Sequence, residues 1–373
     1  MRIQKSTQRA WEVVAAVAVG ALLLAGCSGT DATSNNGSGN AVVDQASLEL
    51  FKDMTPAEKT KAVDTAPFKT DKADLKIGFA DVGLVNSWHV QALGEAKQVA
   101  DKLGVELIVA ESDGDATKQI SDVEDLMARG LDALVLAPNS PEAMVPIVER
   151  ANASGIPVIL WGSDVKTDKY TSKVIADDGF FGVSGAKQLV KDMGGKGKIV
   201  MLRGIAGNSV ETARYEGAMS VFKEAGVEVL AEQFADWAQD KGKSLTENLL
   251  AAYPEIDGIW SSGGASTLGA MQAYDEAGVP LVPMSGEGLN GFLKAAVAAG
   301  LKTSAPSFPT WQGAEGVKLA VRALRGLPID NFYLLRVPAI PDIEAAVEPE
   351  LSDDYWVEDY MTREQIEGIF PAA

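Results

Sequence analysis

From Leu75 onward, the chain alternates between short apolar runs and longer stretches with a helical spacing of apolar residues. The run LKIGFADV precedes a helical stretch from about Trp88 to Leu103, and VELIVAE, LDALVLAP and IPVILWG continue the pattern. Short apolar runs between helices are typical of parallel strands with both faces buried. The pattern restarts at GKIVMLRG and continues to about residue 337, which gives too many strands for one sheet. The sequence therefore predicts an α/β fold with two Rossmann-like lobes, each built on a parallel sheet.

The first forty residues do not follow this pattern. Basic residues at positions 2, 5 and 9 precede an apolar run from Val13 to Leu24, which is too short for a membrane-spanning helix. A basic start, an apolar run and small residues are the layout of a secretory signal. The sequence Leu-Ala-Gly-Cys at its end resembles the lipobox of bacterial lipoproteins, which implies cleavage before Cys27 and a lipid on its thiol. A buried core cysteine on a short helix is the alternative.

The residues between this signal and the first lobe are expected to serve as a spacer. Residues 28–40, SGTDATSNNGSGN, cannot bury apolar area and are typical of a flexible tether. Residues 41–74 are expected to form a partly ordered extension, in which Thr55 and Pro56 predict the start of a short helix. The lipid would hold the protein at the outer face of the cytoplasmic membrane or in the periplasm.

The predicted division of the chain has five parts. They are a signal peptide at 1–26, a lipidated tether and extension at 27–74, an N-terminal lobe at 75–177 plus 308–335, a C-terminal lobe at 178–307, and an acidic tail at 336–373. The tail is expected to be a surface segment packed by Tyr355 and Trp356.

Charge and composition exclude several functions. The chain has 33 Lys and Arg against 52 Asp and Glu, a net charge of -19, so phosphate backbones are repelled and nucleic-acid binding is disfavoured. Cys27 and His89 are the only cysteine and histidine, which excludes an internal disulfide and a Cys/His zinc site. The segment Gly286–Gly291 fits G-x-G-x-x-G, but no acidic residue follows at the distance a dinucleotide site needs. No cofactor and no metal are expected, and the chain is expected to be a monomer.

Ligands of open α/β sheets bind beyond the carboxyl ends of the strands, and this chain places tryptophans and polar residues there. Aromatic faces stack on the C–H faces of a sugar or polyol, while polar side chains bind its hydroxyls. For any single tryptophan, packing within a lobe is an equally good interpretation. His89 is expected to donate one hydrogen bond to the ligand or to cap its loop. The predicted ligand contacts are Asp81, Asn86, Trp88, His89, Trp161, Asp164, Arg214, Trp237, Ser262, Gly263, Glu287 and Ser307.

Four segments carry a family resemblance: KIGFADVGLVNSWHVQALGEAKQVADKLGVEL, DVEDLMARGLDALVLAP, ASGIPVI and GIAGNSVETARYEGA. In their order and spacing, over about residues 76–335, they resemble ribose-type periplasmic binding proteins, the substrate-binding components of sugar ABC importers. The resemblance implies the type I fold of that family, in which a three-crossover hinge joins two lobes that close on the ligand. It also implies an ABC transporter permease in the membrane as the partner.

The resemblance also implies roles for single residues. Asn86, Trp88 and His89 fall where the family has an Asn-Pro-Phe-Phe segment that stacks on the sugar, and Trp237 falls on a second stacking aromatic. Arg214, in Arg-x-x-Gly, matches the arginine that binds hydroxyls. Trp88 and Trp237 are therefore expected to clamp the ligand from opposite lobes.

Three polar anchors of the family are changed in this chain. The Asp-Arg after the fourth strand is replaced by residues 161–164, Trp-Gly-Ser-Asp. The Asn-Asp before a later helix is replaced by Gly263-Gly264, and Phe-Asp-Gly is replaced by residues 285–288, Ser-Gly-Glu-Gly. The changes predict a sugar or polyol different from ribose, or larger. The charge of Arg214 is expected to need a partner, for which the candidates are Asp81, Asp164 and Glu287.

Three other functions compete with sugar import. A ligand sensor would have the same fold and present a bound sugar, nucleoside or furanosyl signal to a membrane receptor. An α/β enzyme would need a base-nucleophile pair at the cleft, and the sequence offers none. A sugar-responsive repressor would need a helix-turn-helix at its start, where this chain has the signal segment.

The lipid attachment can be tested directly. Replacing Cys27→Ser should release the protein from membranes or leave the precursor uncleaved, because the thiol that receives the lipid is gone. Membrane fractionation with mass spectrometry of the N-terminus measures both, and Ser28→Ala is the control. Unchanged fractionation with normal processing would contradict the assignment.

Overall fold

The computed structural model describes residues 45–371 except 53, 302, 304, 338, 341 and 358–360. All of the described residues belong to one unit, Ala41–Ala373. Cys27 and the predicted signal peptide lie outside the described residues. In the described part of the chain, no helix has both the length and the apolar character needed to cross a membrane.

Strands and helices alternate as the sequence predicts. The strands are β1 (Met54–Pro56), β2 (Lys76–Asp81), β3 (Glu106–Glu111), β4 (Ala133–Leu136), β5 (Val158–Trp161), β6 (Ser172–Ala176), β7 (Lys198–Arg203), β8 (Glu228–Phe234), β9 (Gly258–Ser261), β10 (Ala305–Pro306), β11 (Tyr333–Leu335) and β12 (Ala339–Ile340). The helices are α1 (Ser87–Leu103), α2 (Ala116–Ala128), α3 (Val145–Ala153), α4 (Asp178–Asp192), α5 (Ser209–Ala225), α6 (Gln239–Ala252), α7 (Gly264–Ala277), α8 (Asn290–Ala298), α9 (Gln312–Leu324), α10 (Ile343–Ala346) and α11 (Arg363–Ile369). Short 3₁₀ helices lie at Gln45–Leu48 and Ala66–Phe68.

Capping residues fix where several helices begin and end. The Asn86 side chain accepts hydrogen bonds from the backbone amides of Trp88 and His89 and so begins α1, and Gly104, with a φ of 64°, ends it. Asn208 begins α5 in the same way. Asparagine is favoured at this position because its side chain satisfies amides that have no partner within the helix, and glycine tolerates a left-handed end. The cap on α1 holds Trp88 and His89 just beyond the end of β2.

The first sheet has seven strands in the order β1-β11-β6-β5-β4-β2-β3. Neighbouring strands run parallel except at the edge, where β1 is antiparallel to β11. Helix α9 is almost wholly buried and packs on β4, β5 and β6. A Cβ added at Gly316 of α9 would lie 2.9 Å from Cγ1 of Val135, so the helix comes this close to the sheet only because the residue is glycine.

The second sheet has three parallel strands in the order β8-β7-β9. Helices α4 and α5 pack together beside it, and their apolar side chains join Met201 and Trp260 of the sheet in one core cluster. The expected α/β fold with two parallel sheets is therefore confirmed.

The chain leaves or re-enters the first sheet in three passages within the described residues. It leaves the first sheet between β6 and α4, returns between β10 and α9, and leaves again after β11 to form β12, which pairs antiparallel with β10 in a separate two-stranded sheet. The lobe boundaries after residues 177, 307 and 335 stay predictions.

Two sequence-based predictions of local structure are wrong. Thr55 and Pro56 do not start a helix, since they belong to β1, where Met54 is buried opposite Leu335. An edge strand accepts proline because one row of its amides needs no partner. The run PLVPMS at 280–285 is not a full strand and makes a single bridge, between Ile259 and Met284, because its prolines cannot donate ladder hydrogen bonds.

The acidic tail is packed by Tyr355 and Trp356, as expected, and other residues of it are buried as well. Within the described residues of the tail, Leu351, Tyr355, Trp356 and Ile366 are buried. Trp356 forms an antiparallel bridge with Leu289. The tail is therefore packed into the fold as a structural part of it.

Candidate functional site

A cavity of about 50 Å³ lies where strand ends of the two sheets face each other. From the first sheet it receives the segments that follow β2, β4 and β5, and from the second sheet the starts of α5 and α7. Eight of the predicted ligand contacts line it: Asn86, Trp88, His89, Trp161, Arg214, Trp237, Gly263 and Glu287. Most of the residues chosen because they follow strand ends therefore lie around one cavity.

Stacked aromatic rings form one wall of the cavity. The rings of Trp88 and Trp161 are 5.9 Å apart and inclined by only 17°, and Phe308 lies 5.3 Å from Trp88. The indole N–H of Trp88 donates to the Phe308 carbonyl at 2.9 Å. The indole N–H of Trp161 is fully buried and has no hydrogen-bond partner among the described residues. A buried donor without a partner costs about 1–3 kcal/mol, so an acceptor on a ligand would be stabilised there.

His89 is oriented by a carboxylate behind it. Its Nδ1 lies 3.0 Å and 3.1 Å from the two carboxylate oxygens of Asp81, a fully buried residue. A carboxylate only accepts, so Nδ1 carries the proton that bridges to Asp81, and Nε2 is the ring nitrogen left for another partner. Asp81 does not line the cavity and acts through His89. In the described residues, no group of three or more His, Cys, Asp or Glu side chains is arranged to hold a metal ion.

Arg214 is a buried cation with two carboxylate partners. Its Nε donates to Asp178 at 3.0 Å, and its Nη1 donates to Glu287 at 3.3 Å and to the Ser262 carbonyl at 2.6 Å. Among the expected partners, Glu287 is therefore correct, whereas Asp81 and Asp164 are not. The guanidinium carbon lies 3.7 Å and 4.3 Å from the ring centres of two phenylalanines, Phe181 and Phe308.

Burial opposes the charge of both carboxylates. It raises the pKa of Asp178 to about 7 and also raises the pKa of Glu287, while the attraction of Arg214 lowers both in part. The three groups are thus a coupled set in a water-poor place, where hydrogen bonds to a ligand hydroxyl are strong.

Trp237 packs on its own lobe and also lines the cavity. Its indole N–H donates to the Ser262 hydroxyl at 2.8 Å. A Cβ added at Gly204 or Gly263 would lie 2.3 Å or 2.6 Å from its ring, so glycine is needed at both positions. The Asn86 side chain donates to the Trp237 carbonyl at 3.4 Å, a contact between the ends of the two sheets.

Three other predicted contacts lie behind or beside the cavity lining. Ser262 supports Arg214 through its carbonyl and Trp237 through its hydroxyl. The carboxylate of Asp164 accepts from Lys173 at 2.6 Å. The Ser307 hydroxyl donates to the Val357 carbonyl at 3.4 Å. As direct ligand contacts these three stay predictions without a place in the lining.

Several residues of the site or its support are absent from the predicted contacts. Asn208, Phe308 and Trp356 line the cavity, and Asp178 pairs with Arg214. The sequence did indicate Asp178 as a candidate, because this residue lies just after β6, at the start of α4. Trp356 carried no such signal, because it follows no strand of either sheet.

Several known proteins are similar to this chain. The profile of the periplasmic binding protein domain family matches residues 77–328. The ribose import binding protein of Salmonella typhimurium is 31% identical over 251 residues, which cover 67% of this chain and 85% of that protein. A solved ABC transporter solute binding protein from Mycobacterium smegmatis, with bound glycerol, matches with a TM-score of 0.71 and 26% identity over 76% of this chain and 100% of the other. The fructose binding periplasmic domain of a hybrid two component system matches with a TM-score of 0.67 and 26% identity over 73% and 92%.

A buried polar network lies behind the aromatic wall. The Gln91 side chain donates to Glu95 at 3.2 Å and to Thr310 at 3.0 Å, and Thr310 donates to Glu95 at 2.7 Å. The second oxygen of Glu95, Oε2, has no hydrogen-bond partner. Burial raises the pKa of Glu95 to about 8, because loss of hydration outweighs the two hydrogen bonds. Glu95 is therefore protonated in the folded protein at neutral pH.

The pKa of Glu95 predicts a pH dependence of stability. The pKa of Glu95 in the folded protein lies above its ordinary value. The contribution of Glu95 to the stability of the fold is therefore complete below about pH 4.5 and is lost as the pH rises through about 8. Glu95→Gln removes this loss, and the free energy of unfolding of the variant relative to the parent should rise by a few kcal/mol between pH 5 and pH 9. Urea unfolding of the full chain in detergent measures it.

The matched control is Glu216→Gln, which removes a negative charge from an exposed position of α5. It should leave the difference from the parent the same at both pH values. A Glu95→Gln variant whose difference from the parent is equally independent of pH would show that Glu95 is ionised in the folded protein.

Proposed function

Because the chain belongs to the periplasmic binding protein domain family, we propose that it captures a sugar or polyol between its two lobes and delivers it to the permease of an ABC importer. The observation that carries the proposal is the cavity between the sheets, lined by tryptophan rings and by the buried pair of Arg214 and Glu287. The relatives support it, since they include a ribose import binding protein and a solute binding protein with bound glycerol.

The lining suits a compact molecule that carries several hydroxyls. The tryptophan rings offer apolar faces to its C–H groups. Glu287 accepts from hydroxyls, Nε2 of His89 hydrogen-bonds with them, and the N–H of Trp161 and the Arg214 guanidinium donate to them. Hydrogen bonds with charged groups contribute about 1.5–3 kcal/mol each, so these contacts select for hydroxyl positions.

The size of the cavity favours a small ligand and a hinge motion. Its volume of about 50 Å³ is well below the roughly 150 Å³ that accommodates benzene in an engineered protein cavity. We therefore infer that the lobes move apart to admit the ligand.

We further propose that the protein works outside the cytoplasm, held by a lipid on Cys27, and that it does not transform its ligand. The location follows the family, and the anchor follows the basic, apolar and Leu-Ala-Gly-Cys layout of the N-terminus. In the described residues, the side chain of His89 hydrogen-bonds to Asp81 and to no hydroxyl that would serve as a nucleophile.

A sensor of the same ligand is the second candidate function. The similarity to the periplasmic domain of a hybrid two component system favours it, because that fold serves signalling there. In a sensor the same closed lobes would contact a receptor in place of a permease.

Calorimetric titration tests the proposed function. The full chain in detergent is titrated with glycerol, a tetritol, pentitols, hexitols and furanose-forming pentoses and hexoses. At least one compound should bind saturably at one site and be recovered unchanged, and a hundredfold excess over its dissociation constant should stabilise the fold by about 2.7 kcal/mol. Binding by none of them would refute the proposal, and recovery of a converted product would show an enzyme.

The two-ring clamp gives a sharper prediction. Trp88→Ala and Trp237→Ala should each weaken binding of the compound found above by roughly 1–3 kcal/mol, because each ring loses apolar contact with the ligand. Trp260→Phe is the control, since Trp260 is buried in the second lobe and does not line the cavity. A variant that stays folded and binds within about twofold of the parent would exclude that ring from the clamp.

A further inference from the structure

The described residues of 342–371, here called the C-terminal strap, follow the last strand of either sheet. The family profile ends at residue 328, so the strap lies beyond the part of the chain that matches the family. Its residues 342–357 and 361–371 are described, and they include α10 and α11.

One part of the strap is bound to α8, on the side of the second sheet. The Asn290 side chain donates to the carbonyls of Glu348 and Ser352 at 2.9 Å and 3.0 Å, and it accepts from the Glu348 amide at 3.0 Å. Lys294 donates to the Leu351 carbonyl at 2.7 Å. These partly buried hydrogen bonds hold the course of the backbone in the segment before Trp356.

Another part of the strap is bound to α1, on the side of the first sheet. The Gln91 side chain accepts from the Trp356 amide at 2.9 Å and donates to its carbonyl at 3.1 Å. Helix α11 also packs here, since a Cβ added at Gly94 would lie 2.5 Å from Ile369. The strap thus joins helices of both lobes, and Trp356 is the residue at which it crosses.

The side chain of Trp356 reaches the cavity. The residue is 3% exposed and lines the same cavity as Trp88 and Trp161. Its indole N–H already donates to the Ser87 hydroxyl at 2.9 Å, and both of its backbone groups are bonded as described. A ligand can therefore contact only the apolar surface of the Trp356 ring, which blocks the space behind it.

We propose that Trp356 is a direct ligand contact and that it limits the length of the ligand, because the strap holds it in the lining of the cavity. The inference rests on the proposed function. Since the ring offers no free hydrogen-bonding group, it excludes an additional hydroxymethyl group and favours a ligand that ends in a C–H face. Specificity is then set in part by a segment outside the shared fold.

The test compares two ligands that differ by one carbon. The full chain in detergent is titrated with the tightest-binding polyol or sugar of the panel and with its homologue one carbon longer, and the ratio of the two dissociation constants is measured. Trp356→Ala should shift this ratio at least tenfold toward the longer ligand, because the ring that blocks this space is removed. Trp356→Phe should shift it in the same direction by less.

The matched control is Ile366→Ala, which removes a buried apolar side chain of the strap that does not line the cavity. It should lower stability and leave the ratio within twofold. A folded Trp356→Ala protein with a ratio within twofold of the parent would overturn the inference, and if this variant does not fold, the ratio for Trp356→Phe decides. A parent chain that binds no compound of the panel would instead refute the proposed function, and this inference with it.

Discussion

The buried charge of Arg214 is the constraint on which the arrangement of the site depends. A guanidinium that is 2% exposed must be paired, and loss of one partner of a buried ion pair typically costs 3–5 kcal/mol. Its partners come from different segments: Asp178 follows the first passage between the sheets, and Glu287 lies before α8. The guanidinium also lies over the ring of Phe308, and Phe308 belongs to the second passage, between β10 and α9. One charge therefore fixes the binding wall and two hinge segments relative to each other.

The fold could be predicted from the sequence because its signals are local. Strands of a parallel sheet are apolar on both faces and therefore form short continuous apolar runs, which their length and the turn residues beside them separate from helices. A prediction of local structure was wrong where a partner distant in sequence decided the secondary structure. Thr55 and Pro56 have the local pattern of a helix start, but an edge beside β11 was available to them. At residues 280–285 the cause was instead local, because proline kept this run from forming a fourth strand of the second sheet.

The candidate site was predicted in part, for a related reason. The strand-end rule places residues that follow strands, and it found Trp88, Trp161 and Trp237. The rule does not tell which polar side chains face the cavity. From the sequence, Asp164, which pairs with Lys173, could therefore not be distinguished from Glu287, which lines the cavity. Trp356 arrives from a segment without strand periodicity, and its place depends on hydrogen bonds more than fifty residues apart in sequence. Only the folded chain reveals such contacts.

The concentration of indoles at the cavity has an optical consequence. The chain has seven tryptophans, and four of them, at positions 88, 161, 237 and 356, line the cavity. Four indole fluorophores therefore lie beside the place where a ligand would displace water or accept a hydrogen bond. The parallel pair at positions 88 and 161, with ring centres 5.9 Å apart, is close enough for its electronic transitions to couple, which gives the near-ultraviolet circular dichroism a band that follows the geometry of this wall. The protein thus carries an unlabelled spectroscopic reporter of its own opening and closing.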